Sequence, residues 1–379
     1  MKILANLLTI ACALGIPLAA AQAADPIRVG VSSPYSGPAA GPAEREKWGI
    51  DLAVKEINEK GGLLGRPVEI VPADNRCNPS EAANAANKLV SEGVVAILGA
   101  HCSSATLASM PIIEKAGIPI LTGVSSSPKI TELSGVGGNK WTFRLNPSDS
   151  AMMSTLVGYV GDKKLFPKVA IVAEDTDFGR GGVAAFTPLA EAAGIEIVST
   201  DFVAQNTPDY TPVLTRISRA KPDGIAAFLL AGDQLSMLRN AMQLGLEIPY
   251  TGRVELGGEN MQILEAGGME NSVSAWTYSS EIDDPNNKAF SEAIMAEHGL
   301  SPVLQTWAGY DTMRMVAQAI TEAGSADPAA IRDALQKIEF RTVMGPVVSF
   351  DDHNQAGRVV LILGVKDRKV TILDVVDAR

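Results

Sequence analysis

Three histidines and three cysteines in 379 residues leave little material for a metal or thiol centre. His101, His298 and His353 lie far apart, and none stands in a metal-ligand spacing or a zincin motif. His101 and Cys102 are neighbours at a strand end, where successive side chains point to opposite faces, so they make a poor base and nucleophile. No nucleophile elbow and no Walker-type phosphate loop occurs, and Asp177-Phe178-Gly179 has no other kinase element around it. Gly135-Val136-Gly137-Gly138 does not sit between a strand and a helix and carries no dinucleotide claim. Basic residues are in deficit, 32 against 43 acids, for a net charge of −11. That balance argues against nucleic acid, whose binding depends on neutralised phosphates. The expectation is a chain that is no enzyme and takes no metal, cofactor or nucleic acid.

Long apolar runs are also missing, and the longest is at the start. Lys2 precedes an apolar stretch from Leu4 to Ala20, and Ala21-Gln22-Ala23 places small residues at −3 and −1 of a cleavage site. The stretch is too short for a membrane anchor, so residues 1–23 read as a cleaved secretory signal and the mature chain as an exported, periplasmic one. Removing Lys2 takes the net charge to −12. The remaining ~355 residues exceed what one core normally supports, which predicts two lobes. Cleavage also removes Cys12 and leaves Cys77 and Cys102. In an oxidising compartment that pair reads as a disulfide, and closing a loop of ~26 residues contributes roughly 3.5 kcal/mol by the chain-entropy estimate.

The mature chain alternates short β-branched runs with amphipathic stretches, the pattern of a parallel sheet covered by helices on both faces. Ile27–Val31, Val68–Val71, Val94–Leu98 and Ile118–Leu121 read as strands, with helices at Ala43–Lys60, Pro79–Ser91 and Ser103–Ala116 between them. A second set begins near residue 150, with strands at Val169–Ala173, Ile195–Val203, Gly224–Leu230 and Pro249–Thr251. Helices at Asn287–His298, Leu304–Ala323 and Pro328–Ile338 then precede strands at Pro346–Phe350, Val359–Val365 and Val370–Val375, as in a chain that crosses back between lobes. Ser125 through Asn139, rich in serine and glycine, reads as a loop near the functional face.

Gly99-Ala100-His101-Cys102-Ser103-Ser104 follows a buried strand and opens a helix. Free amides, the helix dipole and two hydroxyls meet there, which makes either a ready carboxylate site or a helix start that Ser103 merely caps. Thr122-Gly123-Val124-Ser125-Ser126-Ser127 follows the next strand at the same sheet edge, where open α/β sheets bind ligands. Glu174 to Arg180 is the matching loop of the second half. Its acids suit an ammonium group, with Phe178 as cover, or they form a solvated turn. Glu255 is a further acid at a strand end.

With these residues in view, the chain resembles the branched-chain amino-acid-binding (Leu/Ile/Val-binding) family of type I periplasmic solute-binding proteins. The resemblance runs from Ile27-Arg28-Val29-Gly30 through Gly49-Ile50-Asp51-Leu52 to Glu56-Ile57-Asn58 with Gly61-Gly62. It continues through Cys77, Gly99 with Cys102-Ser103-Ser104, Phe178-Gly179 and Met237–Leu246. It implies an α/β fold of two doubly wound parallel-sheet lobes joined by a three-crossing hinge. The lobes would be 26–145 with 277–356, and 146–276 with 357–379. It also implies a monomer that closes on its ligand and docks on the transmembrane permease subunits of an ABC importer. Ser103 matches the family's carboxylate-binding serine, Ser125 and Ser126 its second carboxylate loop, Phe178 its aromatic, and Glu255 its ammonium-pairing acid within one residue. Ser104, Val124, Leu230 and Gln305 complete the expected ligand wall. Pro42, Leu230 and Gln305 stand where tyrosines line branched-chain sites, which admits acids that lack an α-amino group. A sensory receptor of the same fold is the other reading.

Overall fold

The computed structural model describes residues 25–37, 39–356 and 359–377. The signal peptide read at 1–23 lies outside the described residues. The first lobe opens with β1 (Ile27–Ser33), α1 (Ala40–Glu59), β2 (Val68–Asp74), α2 (Pro79–Ser91), β3 (Ala96–Gly99), α3 (Ser103–Ala116), β4 (Ile120–Thr122), α4 (Pro128–Glu132) and β5 (Thr142–Arg144). The second holds α5 (Asp149–Asp162), β6 (Lys168–Glu174), α6 (Asp177–Ala192), β7 (Glu196–Val203), α7 (Thr211–Ala220), β8 (Gly224–Phe228), α8 (Ala231–Gln243), β9 (Tyr250–Gly252), α9 (Met261–Glu265) and β10 (Val273–Trp276). The chain then returns through α10 (Pro285–His298), α11 (Leu304–Ala323), α12 (Pro328–Leu335), β11 (Phe340–Arg341) and β12 (Val347–Val348). It ends in the hairpin β13 (Val359–Lys366) and β14 (Lys369–Asp377).

Both lobes repeat one topology. The first sheet runs β2-β1-β3-β4-β5 and the second β7-β6-β8-β9, and every pair in them is parallel. In each, the first two strands of the lobe reverse the winding order, which leaves a crevice beyond the strands' carboxyl ends. Double winding explains the continuous apolar runs, since alternate residues must meet helices on opposite faces. Leu98 and Leu121 face α1 and α11, while Ile97 and Ile120 pack into the separate cluster that includes Leu89 of α2 and Ile113 of α3. Ala170, Val172, Ile225 and Ala227 belong to one layer of the second lobe, and Val169, Ile171, Ala226 and Phe228 to the other. Tyr278 to Ala356 rejoin the first lobe's core, and Val360 to Val365 the second's. The fold is the expected α/β one of two doubly wound lobes.

The second sheet is prolonged by serine side chains. Tyr250 N donates to Ser272 Oγ at 2.8 Å and Val254 N to Ser274 Oγ at 3.0 Å, while Ser274 Oγ donates to Gly252 O at 3.0 Å. These bonds seat β10, which pairs antiparallel with β13, beside β9. The cysteines are joined as Cys77–Cys102, with Cα atoms 5.4 Å apart. The bridge ties the segment after β2 to the residue just before α3. Among the described residues no helix is long and apolar enough to cross a membrane.

Several short elements were not foreseen: α4, β5, α9, β10 and β11. Pro128 starts the five-residue α4 inside the serine- and glycine-rich stretch, with Pro at its first position. Three-residue β5 completes the first sheet. The far end of that stretch lies away from the cleft: Val136 N donates to Asp352 O, and Gly135 N to Asn139 O at 2.8 Å. Its beginning is what reaches the functional face: Ser125 and Ser126 line the cleft and Lys129 pairs across it with Asp177.

Helices α1 and α11 cross backbone to backbone. A Cβ on Gly49 would collide with the Thr306 carbonyl oxygen, and one on Gly309 with that of Glu46. This contact sets the amino ends of both helices at the cleft, where Ala39, Pro42, Leu304 and Gln305 lie. Gly49→Ala and Gly309→Ala are each expected to lower stability by about 1–3 kcal/mol, the usual cost of overpacking. Urea denaturation checks this, with Gly158→Ala, an exposed position inside α5 that meets nothing within 4 Å, as a control expected to gain about 0.5–1 kcal/mol.

Candidate ligand-binding site

Between the lobes lies a small cavity of about 70 Å³. Ser103, Val124, Ser125, Ser126, Phe178, Leu230, Glu255 and Gln305 line it together. Contacts between the lobes draw it closed. Asp177 N donates to Ser104 Oγ at 3.2 Å, Arg45 Nε lies 3.3 Å from Glu259 Oε1, and Lys129 Nζ lies 3.7 Å from Asp177 Oδ1. Ser104 is therefore not on the cavity wall. Its hydroxyl is turned to the opposite lobe and fastens the rim.

The loop before α3 is fixed from several sides. The hydroxyls of Thr106, Thr122 and Ser125 all lie within hydrogen-bond reach of the Ala100 carbonyl oxygen, at 3.0, 3.1 and 2.7 Å, and those of Thr106 and Ser125 also bond each other at 2.7 Å. Ser125 thus braces the turn with its side chain. Gly99, at φ +117°, passes so close to the Ser32 carbonyl that a Cβ would clash. No side chain caps α3, so its first amides keep the partial positive charge of a helix start. Ser126 N and Ser127 N donate to Ser103 Oγ at 3.3 and 3.2 Å, which leaves the Ser103 proton for another acceptor. Ser126 Oγ donates to Asp149 Oδ2 at 3.0 Å and so offers the cavity a lone pair.

On the opposite wall, Gln234 of α8 holds the Arg253–Glu255 stretch. Its Nε2 donates to Arg253 O at 3.0 Å, and its Oε1 accepts from Glu255 N at 2.9 Å. Glu255 is buried, and burial together with nearby Glu259 pushes its carboxyl up to about 8. Glu174 lies off the cavity wall. Its carboxylate accepts from Leu230 N at 2.5 Å and positions α8, and burial raises it to about 7. Asp175 pairs with Arg180 Nε at 2.5 Å, so the acids of that loop serve structure.

Several wall residues were not singled out as ligand contacts. Arg253 and Trp276 lie on strand ends of the second lobe, with the guanidinium carbon 5.0 Å from the Trp276 ring centroid. His101 also faces the cavity. Its Nδ1 lies 3.1 Å from Glu46 Oε2, which also accepts from Ser33 Oγ at 2.6 Å. The strand-end rule that selected Glu255 applies equally to Arg253. Gln305 Oε1 is a buried acceptor without a hydrogen-bond partner among the described residues. Among the described residues no group of acids, histidines or cysteines could hold a metal ion.

A doubly wound pair of lobes closed over a shared cavity, with a few polar groups on a largely apolar wall, defines a solute-binding protein of the hinged type. The sequence profile described as periplasmic binding protein matches residues 26–369, and the chain belongs to that family. It is 26% identical over 334 residues to the leucine-, isoleucine-, valine-, threonine- and alanine-binding protein of Pseudomonas aeruginosa, covering 87% of each chain. It is 27% identical over 325 residues to the Leu/Ile/Val-binding protein of Escherichia coli, covering 86% of each. The isoleucine complex of a branched-chain amino acid transporter substrate-binding protein from Streptococcus pneumoniae superposes with a TM-score of 0.83 at 26% identity, covering 93% of this chain and 99% of that one. A Rhodopseudomonas palustris solute-binding protein in complex with 4-hydroxybenzoate gives a TM-score of 0.82 at 25% identity, with 94% and 98% covered. The relatives with printed functions are binding proteins, and the family resemblance read from the sequence stands.

The buried acids make ligand-free stability depend on pH. Glu255, at about 8, and Glu174, at about 7, hold their protons more tightly when folded than unfolded. Their contribution is therefore complete below about pH 4.5 and lost as pH rises through 7 to 8. Glu255→Gln is expected to flatten the fall in the urea midpoint between pH 5 and 8. An unchanged slope would place the titration elsewhere.

Proposed function

We propose that the chain is exported to the periplasm and serves there as the monomeric solute-binding component of an ABC importer. It captures a small carboxylate, foremost an α-amino acid of the branched-chain type, by closing its two lobes, and presents the closed form to the permease. Hinge closure around a ligand is an established motion of two-lobed proteins of this kind. One observation carries this reading: a single closed cavity holds the Ser103 hydroxyl at an uncapped helix start on one lobe and the buried carboxyl of Glu255 on the other. Donors suit a carboxylate, while Glu255, Ser126 Oγ and Gln305 Oε1 are acceptors for an ammonium group. Phe178, Leu230 and Leu304 supply apolar wall for a side chain.

A second reading also has support. A carboxyl held at about 8 is neutral at pH 7 and gives an ammonium group no standing counter-charge. That favours an aromatic or aliphatic acid without an α-amino group, like the ligand of the 4-hydroxybenzoate complex.

Protons separate the two. An ammonium ligand must drive the Glu255 proton off, so L-leucine or L-isoleucine should bind up to about tenfold more tightly per pH unit between pH 6 and 8. Calorimetry in buffers of different ionisation enthalpy should then show proton release. Benzoate and 4-hydroxybenzoate should bind with no such gain. Ser103→Ala is expected to weaken whichever ligand binds by about 1–3 kcal/mol, the value of a charge-assisted bond. Equal affinity would remove Ser103 from the site.

A further inference from the structure

We propose that Arg253 is the second half of the anion grip, closing on the ligand's carboxylate from the lobe opposite Ser103 and selecting a charged acid over its amide. This rests on the carboxylate reading above and assigns the residue that enforces it.

The Arg253 side chain is 5% exposed and lies on the cavity wall. Its backbone is fixed on both sides: its N donates to Ala227 O at 3.0 Å, and its carbonyl accepts from Gln234 at 3.0 Å. The guanidinium rests over the Trp276 ring, which also lines the cavity. Its donors are poorly used. Nε stands 3.3 Å from Asp149 Oδ1, yet neither atom makes an in-line hydrogen bond. Nη1 reaches Ala275 O at 3.4 Å and lies against Met152 Sδ. No described residue accepts a hydrogen bond from Nη2. A guanidinium has five N–H donors, and one this buried with so few acceptors is costly unless something else supplies them. A carboxylate does so in the paired geometry that arginine suits best.

Position supports the same assignment. Asp149 takes Arg253 on one oxygen and the Ser126 hydroxyl on the other, and Ser126 N in turn donates to Ser103 Oγ. Contacts of 3.3, 3.0 and 3.3 Å thus link the two lobes' donors around one part of the cavity. Were Arg253 only the partner of Asp149, the pair would be structural, and its loss would affect all ligands alike.

The test uses the mature chain with L-leucine, benzoate and their amides, leucinamide and benzamide, measured by calorimetry. Wild type is expected to bind at least one acid and to reject its amide. Arg253→Gln should lose at least thirtyfold in affinity for the acid and leave the amide unchanged, so that discrimination collapses, while Arg253→Lys retains part of it. If Arg253→Gln does not fold, the double variant Asp149→Asn/Arg253→Gln, which leaves no unpaired charge, carries the comparison, and Arg253→Lys does so if neither folds. Wild-type affinity in the variant, or equal loss for acid and amide, overturns the role of Arg253 and leaves the importer reading intact. Wild type that binds neither acid, or binds amide and acid equally, overturns the carboxylate reading and this proposal with it.

Discussion

Three hydroxyls on one carbonyl oxygen hold the site together. Thr106, Thr122 and Ser125 converge on Ala100 O from the next helix and the next strand, and the bridge at Cys102 adds a covalent tie to Cys77. A carbonyl oxygen has two lone pairs, so two hydroxyl protons fill it while the Thr106–Ser125 bond at 2.7 Å ties the third hydroxyl in, and it has no freedom to turn. The turn that launches α3 is thereby fixed before any ligand arrives. Pre-set donors lose little on binding, which is why a small polar ligand can be held by a few bonds. The same bonds explain why the serine cluster after β4 is so dense: part of it builds the site and part faces the cavity.

Closure has to be cheap enough to reverse, and the contacts between lobes are suited to that. Arg45 with Glu259 and Lys129 with Asp177 are partly exposed pairs, of a kind worth about 0–1 kcal/mol each. The backbone bond to Ser104 is of similar size. None of these locks the lobes, so a ligand that touches both of them can decide the balance between open and closed. Within the first lobe the opposite holds. The α1–α11 crossing permits no side chain at Gly49 or Gly309, so the starts of these two helices are held at the cleft as a set.

Much of this was legible in the residues. Parallel strands reveal themselves by β-branched runs, and Leu304–Ala323 was read to the residue because glycine follows it directly. The first strand of each lobe and the loops after it followed from the same period. What escaped was short or distant. β5 has three residues and α4 five, too few for a period to register. Ser104 was placed with Ser103 by adjacency, yet a helical step of one residue turns a side chain well away from its neighbour's direction, here toward the other lobe. Arg253 and Trp276 enter the cavity only because β9 and β10 end beside it. No spacing within one segment carries that information.

Buried charge bears on what the cavity is for. Arg253 with Asp149 and His101 with Glu46 are ionisable pairs on or beside one wall, and Glu255 stands nearby. Taking such groups out of water costs several kcal/mol per ion, and well-packed apolar residues often serve stability as well or better. A cleft built only to fill space or to admit an aliphatic side chain would have no use for them. Their cost is offset if a ligand supplies the acceptors Arg253 lacks and the donor that Gln305 Oε1 lacks. Each unused donor or acceptor on the wall is also a test the ligand must pass, since a molecule that leaves it unpaired forfeits its desolvation. Apolar wall at Phe178 and Leu230 sets what fits, and the polar groups decide what stays.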